Sequence, residues 1–296
     1  MADPTAEVTG AGLMAGKRGI VMGVANNHSI AWGITQQLAA EGAEIGLTYQ
    51  NEQFGKRVRP LAEKVGAAFL EQCDVEDLAT VDKLFERAAE TWGAIDFLVH
   101  AVAFSDKNEL KGRYADTTRE NFSRTMVISC FSFTEAAKRA AALMPAGGSM
   151  ITLSYGGSVK VMPNYNVMGV AKAALESSVR YLAADFGSDA IRVNAISAGP
   201  VRTLAGAGVT DARLMFNYQR KHAPLERTVT LTEIGRVASY LLSDYYTAVT
   251  GEVHYVDSGY NIVSMPKLDE LRAEERREII EEKVEQEKTE VLASGS

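Results

Sequence analysis

The stretch Gly19-Ile20-Val21-Met22-Gly23-Val24-Ala25-Asn26-Asn27-His28-Ser29-Ile30-Ala31-Trp32-Gly33 decides the fold. An apolar run ends in a glycine-bearing turn, and Ile34 to Glu41 continues with helical spacing behind two natural N-cap residues, Asn27 and Ser29. A strand that hands a turn to a helix N-terminus makes a phosphate site, because free backbone N–H groups and the positive end of the helix dipole point at the anion. The spacing Gly-x5-Ser-x-Ala-x-Gly departs from GxGxxG, so this turn alone is a weak nucleotide signal.

The same alternation repeats outward from this unit. Glu44 to Tyr49 reads as a second strand ending in Gln50-Asn51-Glu52, where dinucleotide folds meet the adenosine ribose. Gln50 is neutral, and the nearest bases, Lys56 and Arg57, belong to the following helix, which favours NAD(H) over NADP(H). Helix Phe54 to Val65 leads to strand Ala67 to Gln72 and then to Cys73-Asp74-Val75. Asp74 can accept from an adenine amino group or cap the helix from Glu76 to Thr91. Strand Ile95 to His100 runs into Ala101-Val102-Ala103-Phe104, where small side chains admit a ligand to the backbone and Phe104 is placed to wall a pocket. A helical stretch from Glu120 to Leu143 follows, and strand Ile191 to Ile196 ends in Ser197-Ala198-Gly199-Pro200-Val201-Arg202-Thr203. Helix Leu231 to Ser243 and strand Glu252 to Val256 complete an α/β pattern: a single doubly wound parallel sheet with ligands at the carboxyl ends of the strands.

Between these lies the chemistry. Ile151-Thr152-Leu153 reads as a buried strand running into Ser154-Tyr155, and a helix from Asn164 to Phe186 carries Lys172. With Tyr165 also on that helix, the two residues sit seven apart, close to two turns, and leave the same face. Tyrosine is a usable proton donor, and a nearby ammonium favours its ionised form while also holding a hydroxyl-bearing ligand. On spacing alone the pair is equally two amphipathic residues on a half-exposed helix.

A formal net charge of −7 opposes a nucleic-acid surface built on general basicity, and no DNA or RNA partner is expected. Cys73 and Cys130 have no metal-ligand spacing and are expected reduced and buried. His28, His100, His222 and His254 form no zinc pattern, so no metal is expected. Met1 to Gly16 lacks the basic and apolar regions of a secretory signal, and no run of about eighteen apolar residues occurs, so a cytoplasmic protein without a membrane span is expected. Leu204 to Lys221, with Gly206 and Gly208 before Leu214, Met215, Phe216 and Tyr218, is either a mobile cover for a greasy ligand or an ordinary packed helix. The organisation expected is a flexible tail at residues 1–15, the sheet domain at 16–264 and a charged, frayed helical tail at 265–296.

Across Gly16 to Ile262 the chain resembles the bacterial NADH-dependent enoyl-[acyl-carrier-protein] reductases, a divergent branch of the short-chain dehydrogenase/reductase superfamily. The strings that carry the likeness are Gly23-Val24-Ala25 through Ser29-Ile30-Ala31, Thr48-Tyr49-Gln50, Cys73-Asp74-Val75, Ser154-Tyr155, Pro163 to Gly169, and Arg192 to Pro200. Ordinary members of the superfamily place lysine four residues after the catalytic tyrosine. Here that position is Gly169 and the lysine comes at seven, with Tyr155 ten residues upstream of Tyr165.

The resemblance implies a Rossmann-type fold with helices on both sheet faces, NADH as cofactor, and reduction of trans-2-enoyl thioesters in fatty-acid elongation. It implies that Tyr165 stabilises the enolate, that Lys172 binds the nicotinamide ribose, and that Tyr155 lines the thioester pocket. Gly23, Ser29, Ile30, Gln50, Asp74, Val75, Ala101, Val201 and Thr203 would surround the cofactor. Ala103, Phe104, Met168, Ala205 and Met215 would meet the substrate. It further implies an acyl carrier protein as partner and a homotetramer. The basic patch for that carrier is thin here, with Arg213, Arg220 and Lys221. A carbonyl reductase, or a sensor that binds NAD without turnover, are the rival readings.

Overall fold

The structure, a computed structural model, describes residues 10–201 and 212–294. Its first half runs β1 (Arg18–Met22), α1 (Ile30–Ala40), β2 (Glu44–Tyr49), α2 (Glu52–Lys64), β3 (Phe69–Gln72), α3 (Leu78–Trp92) and β4 (Phe97–His100). Next come α4 (Arg119–Met126), a π-helical turn (Val127–Phe131), α5 (Ser132–Ala142), β5 (Gly148–Ser154), α6 (Asn166–Phe186) and β6 (Ile191–Ala198). The chain ends with α7 (Ala212–His222), α8 (Leu231–Leu242), β7 (Val253–Val256) and α9 (Leu268–Ser294).

The described strands form one parallel sheet of seven, in the order β3-β2-β1-β4-β5-β6-β7. The central strands β1, β4, β5 and β6 are too apolar to leave a face in water, and alternate side chains feed separate cores. Ile20, Met22, Leu98, Met150 and Val193 pack with α3, α5 and α6, while Val21, Phe97, Val99, Ile151 and Ile196 pack with α1, α2 and α8. The strand order reverses between β1 and β4, the crevice where doubly wound sheets bind ligands.

Local chemistry sets the helix starts. Asn51 accepts from Gln53 N and Phe54 N at the head of α2, and Thr230 with Glu233 forms a reciprocal capping box on α8. The cap of α3 is Asp77, which accepts from Ala79 N. Asp74, the residue the sequence offered for that task, sits outside the helix and so is spared for another role. The stretch from Glu120 to Leu143 is one helical run interrupted by the π-turn, which turns Ser132 toward the sheet. There Ser132 Oγ lies 2.9 Å from His100 Nε2, and Thr152 Oγ1 lies 3.3 Å from His100 Nδ1. Both cysteines are free and buried, and burial pushes the Cys73 thiol up to about 12, which makes it inert.

His100 is fully buried, and desolvation, with a smaller contribution from the Lys172 charge, holds its pKa down at about 3. The unfolded chain takes up this proton near pH 6.5 and the folded chain does not, so stability is lost as pH falls from about 6.5 toward 3. Urea unfolding at pH 7.5 and pH 4.5 should show wild type losing about 3 kcal/mol more than His100→Gln over that interval. Equal losses would mean that His100 is not held neutral.

Candidate active site

The carboxyl ends of β1 and β4 meet at the reversal. Ala101 N donates to Met22 O, and Gly23 takes φ +98° directly beneath Ala101. A Cβ on Gly23 would stand 2.1 Å from Ala101 O, so only glycine permits this approach. Ser29 is the N-cap residue of α1 but does not cap it with its side chain. Its Oγ turns back instead, accepting from Ala25 N and Asn26 N at 3.2 and 3.1 Å and donating to Asn26 O. The loop is thereby fixed from within, and the α1 N-terminus is left to meet an anion. Ile30, the first residue of that helix, is half-buried beside it.

Along the crevice Gln50 Nε2 approaches Asp74 Oδ2 at 3.4 Å, while Asp74 Oδ1 accepts from Glu76 N. Two residues distant in sequence thus share one rim. The side chain of Val75 is buried in the core, leaving only its backbone to a ligand.

The opposite wall is built from β5 and α6. Tyr165 is the N-cap of α6 rather than part of its body, but its near-helical backbone keeps it about two turns ahead of Lys172. The Tyr155 and Tyr165 rings meet edge to face, with centroids 5.1 Å apart at 72°. Lys172 is 6% exposed and donates to Leu153 O at 2.7 Å, which occupies one of three ammonium donors. Burial lowers its pKa to about 8. The expectation that this lysine promotes ionisation of Tyr165 is reversed here. Burial dominates, aided by Tyr155 and Glu176, and pushes the phenol above its ordinary range, so Tyr165 is held as a protonated donor.

Glu176 fixes this wall. Its Oε1 accepts from Ser154 Oγ and Ser158 Oγ at 2.5 and 2.6 Å, tying α6 to both sides of the Tyr155 turn. Tyr155 is held at its far end as well, because Gln219 Nε2 on α7 donates to its hydroxyl at 2.6 Å.

A family model described as Enoyl-(Acyl carrier protein) reductase matches residues 23–261. The chain belongs to that family. It is 69% identical over 261 residues to an enoyl-[acyl-carrier-protein] reductase [NADH] of Rhizobium meliloti (strain 1021), covering 88% of this chain and 97% of that one. It is 51% identical over 256 residues to the corresponding Rickettsia typhi protein, covering 86% and 98%. A crystal structure of the Anaplasma phagocytophilum reductase in complex with NAD is 54% identical, with a TM-score of 0.85 over 88% of this chain and 100% of that one. Membership of this reductase family fits a wall of two tyrosines and a buried lysine facing the sheet reversal.

Of the other residues read from the sequence, Met168 is buried in a small cluster with Leu110 and Val167 against Tyr165, and Met215 is half-buried on α7. Val201 is half-buried against the α1 side of the core. Ala103 and Phe104 are exposed, and the Phe104 ring lies 4.7 Å from the Arg124 guanidinium, itself paired with Glu76. Thr203 and Ala205 lie outside the described residues. The sequence reading missed Gln219 and Glu176. Each is a polar residue buried on a helix, and burial of one position cannot be read from a type that helices usually expose. Among the described residues no group of His, Cys, Asp or Glu is arranged to hold a metal, and no helix is long and apolar enough to cross a membrane.

The charged tail forms α9, and its first turn is tied to α7. Glu270 Oε2 lies 3.2 Å from Lys221 Nζ and 3.1 Å from His222 Nδ1, and Lys267 pairs with Glu226.

Proposed function

We propose that this chain reduces the 2,3 double bond of trans-2-enoyl thioesters, carried on acyl carrier protein, with NADH during fatty-acid elongation. The observation that carries this reading is the Tyr165 ring set edge to face on Tyr155, about two turns ahead of the buried Lys172, where β5 runs into α6.

The residues present suit a dinucleotide. The Gly23–Ala101 approach draws the carboxyl ends of β1 and β4 together beside the turn, the α1 N-terminus suits the pyrophosphate, and the Gln50–Asp74 rim offers neutral and acceptor groups rather than a cation for a 2′-phosphate. Ile30 would border the pyrophosphate, and the Val75 and Val201 backbones would hold the adenine and carboxamide ends. When bound, NADH supplies the hydride that reaches the substrate's β carbon.

Lys172, with one donor on Leu153 O, would offer its remaining donors to the ribose hydroxyls of the bound dinucleotide. Tyr165 donates to the thioester oxygen, where negative charge builds as the conjugated system becomes an enolate. Tyr155 lines the same pocket. Met168, Met215, Ala103 and Phe104 would border the acyl chain. A protonated phenol suits this task, because the group must stabilise charge on oxygen while a proton is later placed on the α carbon.

The carrier protein is acidic in this class of partner, and Arg213, Arg220 and Lys221 on α7 are the cations nearest Met215 in sequence. A homotetramer accounts for the exposed Phe122, Val127 and Phe131 on the α4–α5 run and for Val170 and Tyr181 on the neighbouring α6, a face too apolar for water alone. A cytoplasmic location fits such a partner.

The test is absorbance at the NADH band with crotonyl-CoA and acetoacetyl-CoA side by side, using NADH and NADPH in parallel. Oxidation of NADH by crotonyl-CoA alone is expected. Turnover of the ketone only would favour a carbonyl reductase, and tight NADH binding without turnover on either would favour a silent sensor.

A further inference from the structure

Helix α7 is exposed along most of its length, with Arg213, Leu214, Asn217, Tyr218 and Arg220 all open to solvent, yet Gln219 is 5% exposed. Its amide reaches the Tyr155 hydroxyl at 2.6 Å. Tyr155 is otherwise immobilised, its ring against Tyr165 and its flanking serines on Glu176. Only the rotation of its O–H remains free, and the Gln219 contact decides it.

We propose that Gln219 is a positioning residue that sets the direction of the Tyr155 proton. A phenol oxygen that accepts from an amide N–H keeps its own single proton for another partner. The proton is therefore directed away from α7 and toward the substrate side, where a second donor beside Tyr165 meets the thioester. The contact also makes the orientation of Tyr155 depend on the seating of α7, so the helix that carries Met215 and the group that polarises the thioester are set together. This rests on the reading above that Tyr155 lines the thioester pocket.

The test is a double-mutant cycle of Gln219→Met and Tyr155→Phe in the full-length enzyme, with kcat and KM measured for crotonyl-CoA at saturating NADH. Gln219→Met is expected to lower kcat/KM about tenfold in the wild-type background, which corresponds to about 1.4 kcal/mol, and less than about twofold in the Tyr155→Phe background. A residue that merely supports α7 would cost the same factor in both backgrounds, and that result overturns the proposal, as does no loss in either. A Tyr155→Phe variant with unchanged kcat/KM overturns the placement of Tyr155 itself, and this proposal with it. A second readout uses the enzyme without cofactor. Tryptic cleavage after Arg213 and Arg220, followed by mass spectrometry, should accelerate by the same factor in either single variant and no further in the double. Additive acceleration would show that Gln219 and Tyr155 do not act through one bond.

Discussion

Replacing Tyr165 with phenylalanine is expected to lower kcat for crotonyl-CoA about 10²- to 10³-fold, with NADH affinity unchanged to within about twofold. The loss follows from position and protonation. Burial pushes the Tyr165 phenol above its ordinary range, so it stays a neutral hydrogen-bond donor at neutral and moderately alkaline pH. The charge that forms on the thioester oxygen exists in the transition state and not in the ground state, so its donor acts on kcat more than on binding. Phenylalanine keeps the edge-to-face packing on Tyr155, which leaves the wall intact and confines the effect to the missing hydroxyl. Stopped-flow binding of NADH and steady-state turnover on the same preparation separate the two quantities. A variant with wild-type kcat would remove Tyr165 from the chemistry.

Lys172 gives the second large effect, and it runs against the usual alkaline loss of stability. The ammonium is buried, bonded to one carbonyl, and its pKa is lowered to about 8 from 10.5. Below about pH 8 both states hold the proton and the folded state bears the full desolvation cost. Between about 8 and 10.5 the unfolded chain keeps the proton that the folded chain has released, so stability rises with pH across this window. Above it both states are neutral. The stability of wild type minus that of Lys172→Met should therefore climb by on the order of 3 kcal/mol from pH 8 to pH 10.5 in the protein without cofactor. The same variant should bind NADH about 10- to 100-fold more weakly at pH 7, since hydrogen bonds from a charged donor are each worth about 1.5–3 kcal/mol. Denaturant unfolding across the alkaline range tests the first statement and equilibrium fluorescence titration the second. A flat difference curve would mean that water reaches the ammonium.

Much of this was legible in the residues. Gly23 announces the reversal crevice because no other residue tolerates its φ beside Ala101, and a buried parallel strand such as Ile151-Thr152-Leu153 has few other readings. The spacing of Tyr165 and Lys172 pointed to the reaction only through its resemblance to the enoyl reductase branch, and the sequence could not say which way burial would drive the phenol. That depends first on how deeply the folded chain buries the phenol, with Tyr155 from the preceding turn and Glu176 further along α6 adding to it, and the net shift runs against the expected effect of the lysine. Which aspartate caps α3 was not decided by sequence for a related reason. Asp74 and Asp77 are equally good caps as residue types, and the turn fixed by the Thr80 hydroxyl, which donates to Asp74 O and Asp77 O, selects the second. Gln219 and Glu176 were invisible because their importance lies in partners 64 and 22 residues away.

The central claim is that hydride arrives at the β carbon of an enoyl thioester while Tyr165 holds the developing charge on oxygen. NADH deuterated at both C4 positions, incubated with crotonyl-CoA in ordinary water, tests it most directly through the isotope pattern of the product. The account predicts butyryl-CoA with one deuterium on C3 and a solvent proton on C2. Deuterium on C2, or on a carbinol carbon formed from acetoacetyl-CoA while crotonyl-CoA is left untouched, would contradict it.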